Sequence, residues 1–296
     1  MPNPFVSPAN VQLKAKFLFG GISGSGKTMI SLAVARQLGK KIAVIDTEND
    51  SASRYFGIAP PWDPNGEPFK FDRVNLGAPY SPERYIELMK AAYENGFDVV
   101  VIDSTTHEWT GEGGILSSVD KEPSSQMGWK KSSPRHTRFL EAIMRCPIHL
   151  VATVRYKDQY VIEADERGKH IPRKIGLGAI QRDQFEYEFD AQAHVDQQHK
   201  VTFEKTRFPA IDGVTFDNKL ELLEAIKGVK AFLDRGDLQA GELDLRRLLA
   251  VATGNEMTKE DVIELVSTNF GGRTPPQLKA SEIQDVINLI IDNKKV

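Results

Sequence analysis

The sequence holds a single cysteine, Cys146, among 296 residues. That excludes an internal disulfide framework and a cysteine-built zinc site, and it fits a reducing compartment. Long hydrophobic runs are also missing. No apolar stretch approaches 18 residues, so no membrane span is expected. The opening MPNPFVSPANVQLK lacks a basic segment followed by an apolar one, so no signal peptide is expected. The six histidines (107, 136, 149, 170, 194 and 199) show no ligand spacing, which argues against a histidine-built metal site. Charge of one sign is not in excess either. With 38 Lys+Arg against 41 Asp+Glu the net charge is -3, so no global basic field points to nucleic acid.

What is present is an ordinary globular composition, 40% hydrophobic and 27% charged, with enough apolar material for a sizeable core. The length fits one large domain or two smaller ones. The charge is unevenly spread. Residues 121–182 carry 13 basic and 6 acidic side chains, a net of +7, so the rest of the chain carries -10. Such a block is either a local polyanion site or a solvated face.

The apolar patterning predicts an α/β fold. Residues 1–12, with three prolines, read as an arm. Strands are expected at 14–20, 42–46, 97–103 and 148–154, with helices at 29–38 and 81–95 between them. Residues 57–70, with four prolines, read as loop. Alternating strands and helices imply a mostly parallel sheet with crossover helices. Two polar strands follow, near 186–196 and 200–207. From residue 218 helical patterns dominate: 218–234, 241–252, and two more opened by capping boxes at 258–261 and 281–284. The stripe Ile283, Val286, Ile287, Leu289, Ile290 has helical spacing and reads as core. The expected division is an arm (1–12), an α/β core (13–217) and a small helical C-terminal domain (218–296).

One local pattern is specific. Gly21-Ile-Ser-Gly-Ser-Gly26-Lys27-Thr28 matches G-x-x-x-x-G-K-[ST], with a strand before it and an apolar helix after. Glycines let backbone N–H groups turn toward phosphate oxygens, and the helix start adds its dipole. The expected nucleotide-binding set is Gly21, Ser23, Gly24, Ser25, Gly26, Lys27, Thr28 and Met29. Lys27 would reach the β- and γ-phosphates of ATP, and Thr28 would ligate Mg²⁺. The second Mg²⁺ contact is expected from Asp103, which closes the apolar strand VVVID.

Hydrolysis also needs a group that activates or positions water. The residue after Asp103, where many ring ATPases carry a glutamate, is Ser104. Glu48, just past strand IAVID, is the candidate; position alone equally allows a surface glutamate. Glu108 is a weaker alternative.

Three segments resemble the RecA family: Ile45-Asp46-Thr-Glu48-Asn-Asp-Ser-Ala-Ser-Arg-Tyr55, FDVVVIDS (97–104) and Phe203-Glu-Lys205-Thr-Arg207-Phe. Together with HLVATVRYK and the acidic-aromatic 183–190, the ensemble is similar to the phage-encoded RecA-like recombination ATPases over residues 13–217. The resemblance implies a RecA-like P-loop NTPase core using ATP and Mg²⁺. It gives Glu48 the role of activating water and Tyr55 that of packing on adenine. Arg155, at the end of the fourth strand, falls where such folds sense the γ-phosphate. Lys205 and Arg207 would reach the γ-phosphate of a neighbouring subunit, so a homo-oligomer with nucleotide at its interfaces is implied.

The resemblance also implies two loops facing single-stranded DNA, here 109–134 and 156–182. They carry Lys130, Lys131 and Arg135, then Lys157, Arg167, Lys169, His170, Arg173 and Lys174, with Trp129 and Tyr160 as stacking surfaces. The implied activity is a DNA-dependent ATPase of recombination or replication, cytoplasmic, with a single-strand annealing or DNA-binding protein as a further partner. A small-molecule or nucleotide kinase and an ATP-dependent protein-interaction switch remain as alternatives.

Overall fold

The computed structural model describes residues 13–64, 66–164, 170–234 and 240–293. The expected arm at 1–12 lies outside them. The sheet begins with β1 (Lys16–Gly21), which runs into the glycine loop and α1 (Lys27–Leu38). β2 (Ile42–Asp46), the short edge strand β3 (Asp72–Asn75), β4 (Val99–Asp103) and β5 (His149–Ala164) continue the parallel part. β7 (Ala191–Val195) pairs parallel to β1, and β8 (Val201–Thr206) and β9 (Thr215–Phe216) add antiparallel strands. The order is β3-β2-β4-β5-β1-β7-β8-β9. This is the expected mostly parallel α/β sheet flanked by helices. β3 was not expected, because its four residues are exposed and polar in pattern.

Side-chain alternation along the strands divides the core into two layers. Phe17, Phe19, Val99 and Val101 face one side, where α1 and α6 (Lys219–Leu233) lie. Leu18, Val100, Ile102 and Leu150 face the other, against Tyr85 and Met89 of α2 (Pro82–Glu94) and Phe139 and Ile143 of α5 (Ser125–Met144). α1 is buried on nearly all sides because α6 covers the face turned from the sheet. The expected helical C-terminal unit thus divides by packing: α6 joins the sheet core. A separate cluster forms from α7 (Glu242–Gly254), α8 (Lys259–Asn269) and α9 (Ala280–Asn293). Ile283, Val286, Ile287 and Ile290 are buried there as expected, while Leu289 is half-buried. The capping box at Thr258 and Asp261 opens α8. α9 opens differently: the Lys279 N–H donates to Glu282 at 2.8 Å.

Two regions expected as loops are regular. Residues 109–134 fall mostly into α3 (Thr106–Thr110), α4 (Ile115–Asp120) and the start of α5. The buried face of α5 begins with Gly128, Ser132 and His136, small or polar residues four apart, so its helical period carried no hydrophobic signal. Residues 156–164 and 170–179 form paired antiparallel strands instead of a loop. β5 continues well past the sheet and pairs with β6 (His170–Ala179), with an irregularity between Gln159 and Tyr160.

The C-terminal cluster docks on the core at one turn. The Arg247 guanidinium donates to the Phe97 carbonyl at 2.6 Å, and Gln284 Nε2 donates to that of Gly96 at 3.2 Å. Gly96 has φ +76, and a Cβ there would stand 2.7 Å from Ile287 Cγ2. Gly96→Ala should therefore cost roughly 2–4 kcal/mol through left-handed strain plus overpacking. Gly228→Ala, in α6 with open space around it, should instead gain about 1 kcal/mol of helix propensity. Urea unfolding of the two variants checks both signs; equal effects would refute the docking role of Gly96.

Candidate active site

Parallel register alone assembles the site. β2 and β4 pair Asp46 with Asp103, and β1 and β5 pair Gly21 with Arg155, so all four reach the carboxyl edge of the sheet together. Ligands bind at that edge in open α/β sheets. Here it opens into a cleft of about 760 Å³, large enough for a nucleotide.

The glycine loop spans from β1 to α1. Gly24 and Gly26 have φ +81 and +90, conformations that turn successive N–H groups to one side. Lys27 is buried, and its Nζ donates to the Ile22 carbonyl at 2.8 Å. Burial pulls the Lys27 ammonium down to about 8 from its usual 10.5; Asp103 opposes this and Arg155 adds to it.

Thr28 donates its hydroxyl to Asp103 Oδ2 at 2.6 Å, and Thr153 donates to Oδ1 at 2.6 Å. Burial raises the Asp103 pKa and these two bonds resist the rise. Hydroxyl and carboxylate, side by side next to a phosphate loop, are the hard oxygen donors that Mg²⁺ takes. The residues fit the ion: Thr28 and Asp103 would be its protein ligands. Among the described residues no cluster of three His, Cys, Asp or Glu side chains offers another metal site.

Glu48 is carried on a turn that Asp46 ties down. The fully buried Asp46 carboxylate accepts the Glu48 N–H at 2.7 Å and the Ala52 N–H at 3.0 Å. The Glu48 carboxylate lines the cleft with Lys27, Thr28 and Asp103. It accepts the Ser104 hydroxyl at 2.9 Å and is gripped by Arg155, whose Nε donates to Oε1 at 2.9 Å while Nη2 meets Oε2. Arg155 is itself fixed by its backbone N–H, which donates to the Thr106 hydroxyl at 2.9 Å.

Glu108, the weaker candidate for water activation, is not in the cleft. It is wholly buried beside His136, with Nδ1 3.1 Å away, and accepts from Gln181 Nε2 at 3.3 Å. His107 stacks on Tyr80 and lies 2.8 Å from the Thr47 hydroxyl, joining the ends of β2 and β4.

Of the other expected residues, Ser23, Gly24, Gly26, Met29 and Tyr55 line the cleft, whereas Ser25 is buried beneath it. Lys205 and Arg207 do not enter this cleft. Lys205 Nζ donates to the carbonyls of Tyr187, at 2.8 Å, and Phe189; Arg207 pairs with Asp190 at 3.2 Å. Lys130 is exposed on α5; Lys131 is exposed and paired with Glu122 at 2.7 Å. Arg135 is committed to Glu83, donating through Nε at 2.9 Å and Nη2 at 2.8 Å. That pairing holds the Glu83 carboxyl down near 2. Trp129 is partly exposed and lies against Trp109. Arg173 and Lys174 lie on β6, opposite Val161 and Tyr160. Lys169 and Arg167 fall outside the described residues.

The structure adds cleft residues that sequence reasoning missed. His199, in the β7–β8 turn, donates from Nδ1 to the Ser25 carbonyl at 2.9 Å and stands over Gly26. Asp217, Asn218 and Lys219, at the start of α6, form the same wall, and Trp62 faces it from the proline-rich loop. The four prolines marked that loop, but no local pattern marked its cleft-facing tryptophan.

A family model described as an AAA domain matches residues 13–219. No curated protein matches the chain. Two remote likenesses among solved structures are an ATPase from the type III secretion system of pathogenic bacteria and the ATP synthase subunit NeqB from Nanoarcheaum equitans. The first is 13% identical, covers 94% of this chain and 81% of that one, and has a TM-score of 0.38. The second is 15% identical, covers 94% and 74%, and has a TM-score of 0.37.

The depressed Lys27 gives a pH signature. A bound polyanion restores the ammonium, so binding above pH 8 requires proton uptake. Mg·ATP affinity should be flat below pH 8 and fall by up to about tenfold per unit above it, read by calorimetry. In the empty protein the unfolded chain holds more protons between about 8 and 10.5, so the Lys27 contribution to stability rises with pH across that window. An affinity unchanged from pH 7 to 10 would contradict the assignment of Lys27 as the phosphate contact.

Proposed function

Since the chain belongs to the AAA domain family of phosphate-loop NTPases, we propose that it is an ATP hydrolase, stimulated by single-stranded DNA and acting as a homo-oligomer in recombination or replication. The observation that carries the hydrolase is the meeting of Lys27, Thr28, Asp103 and Glu48 at one cleft. Lys27 and the loop N–H groups bind the phosphates. Mg²⁺, held by Thr28 and Asp103, would supply positive charge for the phosphate oxygens. Glu48 accepts the proton of the attacking water as its oxygen bonds to the terminal phosphorus and the bridging oxygen leaves with the diphosphate. Tyr55 and Trp62 offer ring surface for the base.

The DNA reading rests on different support. The +7 block falls on α5, β5 and β6, and the partly exposed Trp129 adjoins Lys130. Cations on protruding elements suit a phosphate backbone, and an exposed aromatic suits base stacking. The oligomer reading rests on Lys205 and Arg207: two neighbouring cations outside their own chain's cleft fit the γ-phosphate held by another copy.

ATP turnover measured with and without single-stranded DNA tests the proposal. Stimulation should fade between about 50 and 200 mM salt. Lys27→Ala should bind no nucleotide. Glu48→Gln should keep binding and lose at least about a hundredfold in turnover. Normal turnover in Glu48→Gln would remove the base assignment. Turnover indifferent to DNA would leave the basic block a solvated face and favour the protein-interaction switch.

A further inference from the structure

A second cavity, of about 210 Å³, lies at the amino edge of the sheet, between the α/β core and the C-terminal cluster. At about 30 Å³ per water molecule it has room for a small ion with part of its hydration shell. Cations converge on it from both sides. Lys14, just before β1, and His149, at the start of β5, belong to the core; Arg247 belongs to α7. Lys230, on α6, also lines the cavity but is tied to Asp234 at 2.6 Å. Among the described residues no carboxylate pairs with the Lys14 ammonium in this way. Arg247 is 7% exposed; its Nη2 donates to the Phe97 carbonyl, and its Nε is buried without a hydrogen-bond partner.

These groups are costly to charge where they stand. Burial pulls the Lys14 ammonium down to about 8; Arg247 and Lys230 add to this, and Asp244 and Asp234 oppose it. Burial also holds His149 well below its usual value, and Lys14, Lys230 and Lys16 act in the same direction. His149 Nδ1 accepts the Ala15 N–H at 3.1 Å, so the neutral ring carries its proton on Nε2 as a donor. The carboxylates at the cavity have other partners. Asp98 accepts the N–H groups of Lys40 and Lys41, each at 2.8 Å, and Asp244 accepts that of Gly241 at 3.0 Å. Asp285 is exposed on α9.

We propose that this cavity is an oxyanion site, whose ligand is a small, doubly charged tetrahedral anion of the phosphate class. Lys14 and His149 donate to it from the core and Arg247 from α7, each cation through a charge-assisted bond. One bound ion therefore ties the C-terminal cluster to the core. The volume admits a free phosphate and not a nucleotide. The site is separate from the nucleotide cleft, which opens at the other edge of the sheet.

The test first silences the phosphate loop. Urea unfolding and calorimetry of Lys27→Ala are followed as sodium phosphate is added, with sodium chloride at equal ionic strength as the reference. Phosphate should bind at one site and raise the unfolding midpoint. Adding Lys14→Gln should weaken phosphate by about tenfold. It also removes a buried cation that lacks a partner. The Lys14→Gln protein should therefore be the more stable of the two in chloride and the less stable in saturating phosphate, a reversal that a merely structural lysine does not give. Phosphate also stabilises proteins by exclusion from their surfaces, but that effect is equal with and without Lys14. Equal stabilisation in both backgrounds, chloride matching phosphate, or no response of Lys27→Ala to phosphate would each overturn the proposal. Lys14→Met serves as the second variant should Lys14→Gln fail to fold; the same loss and the same reversal are expected.

Discussion

The Asp103 carboxylate is buried where desolvation drives it toward neutrality, yet holding a cation would need it as an anion. Two hydroxyls counter that drive, Thr28 from the helix after the glycine loop and Thr153 from the neighbouring strand. Each bond also fixes a distance between elements far apart in sequence. Thr28 holds the start of α1 against β4; Thr153 holds β5 against β4, and its carbonyl accepts both the N–H and the hydroxyl of Thr105. The helix after the phosphate loop, β4 and the strand bearing Arg155 therefore share one hydrogen-bonded junction. Losing either hydroxyl would remove one of the two bonds that oppose protonation of Asp103.

That junction is possible because the parallel strands reach the carboxyl edge of the sheet in register. Their alternation places aromatic and branched side chains on both faces, so helices cover both sides and leave only the edges of the sheet open. At the carboxyl edge, backbone groups that no ladder satisfies meet side chains instead. Asp46 takes two N–H groups and Thr47 takes the N–H of Ser104. The turn bearing Glu48 is thereby a product of the sheet edge. Its shape is set by two residues, Asn49 and Asp50, held at positive φ.

Local patterns carried the parts of the site that are local. The glycine loop is one continuous octapeptide, and Glu48 and Asp103 each sit at or just past the end of an apolar strand, so their positions were legible. The grip of Arg155 on Glu48 joins residues 107 apart, and nothing in either neighbourhood announces it. His199, Asp217 and Lys219 reach the cleft only because β7 pairs parallel to β1. The helices of 106–144 were obscured because Gly128, Ser132 and His136 make the contact that larger apolar residues usually advertise. The paired strands β5 and β6 stand where the resemblance implied a loop, and their pairing joins residues that no local pattern links.

β5 has a mechanical consequence. It is 16 residues long, and its first part is clamped between β1 and β4. From Arg155 outward it leaves the sheet, stiffened by its pairing with β6. At about 3.3 Å per residue the segment from Arg155 to Ala164 spans roughly 30 Å. A pivot of about 5° at its root would carry the outer end through roughly 2–3 Å by simple leverage. The residue that contacts Glu48 thus also sits at the root of a long lever, so a small rearrangement in the cleft would be magnified at the outer end of the paired strands.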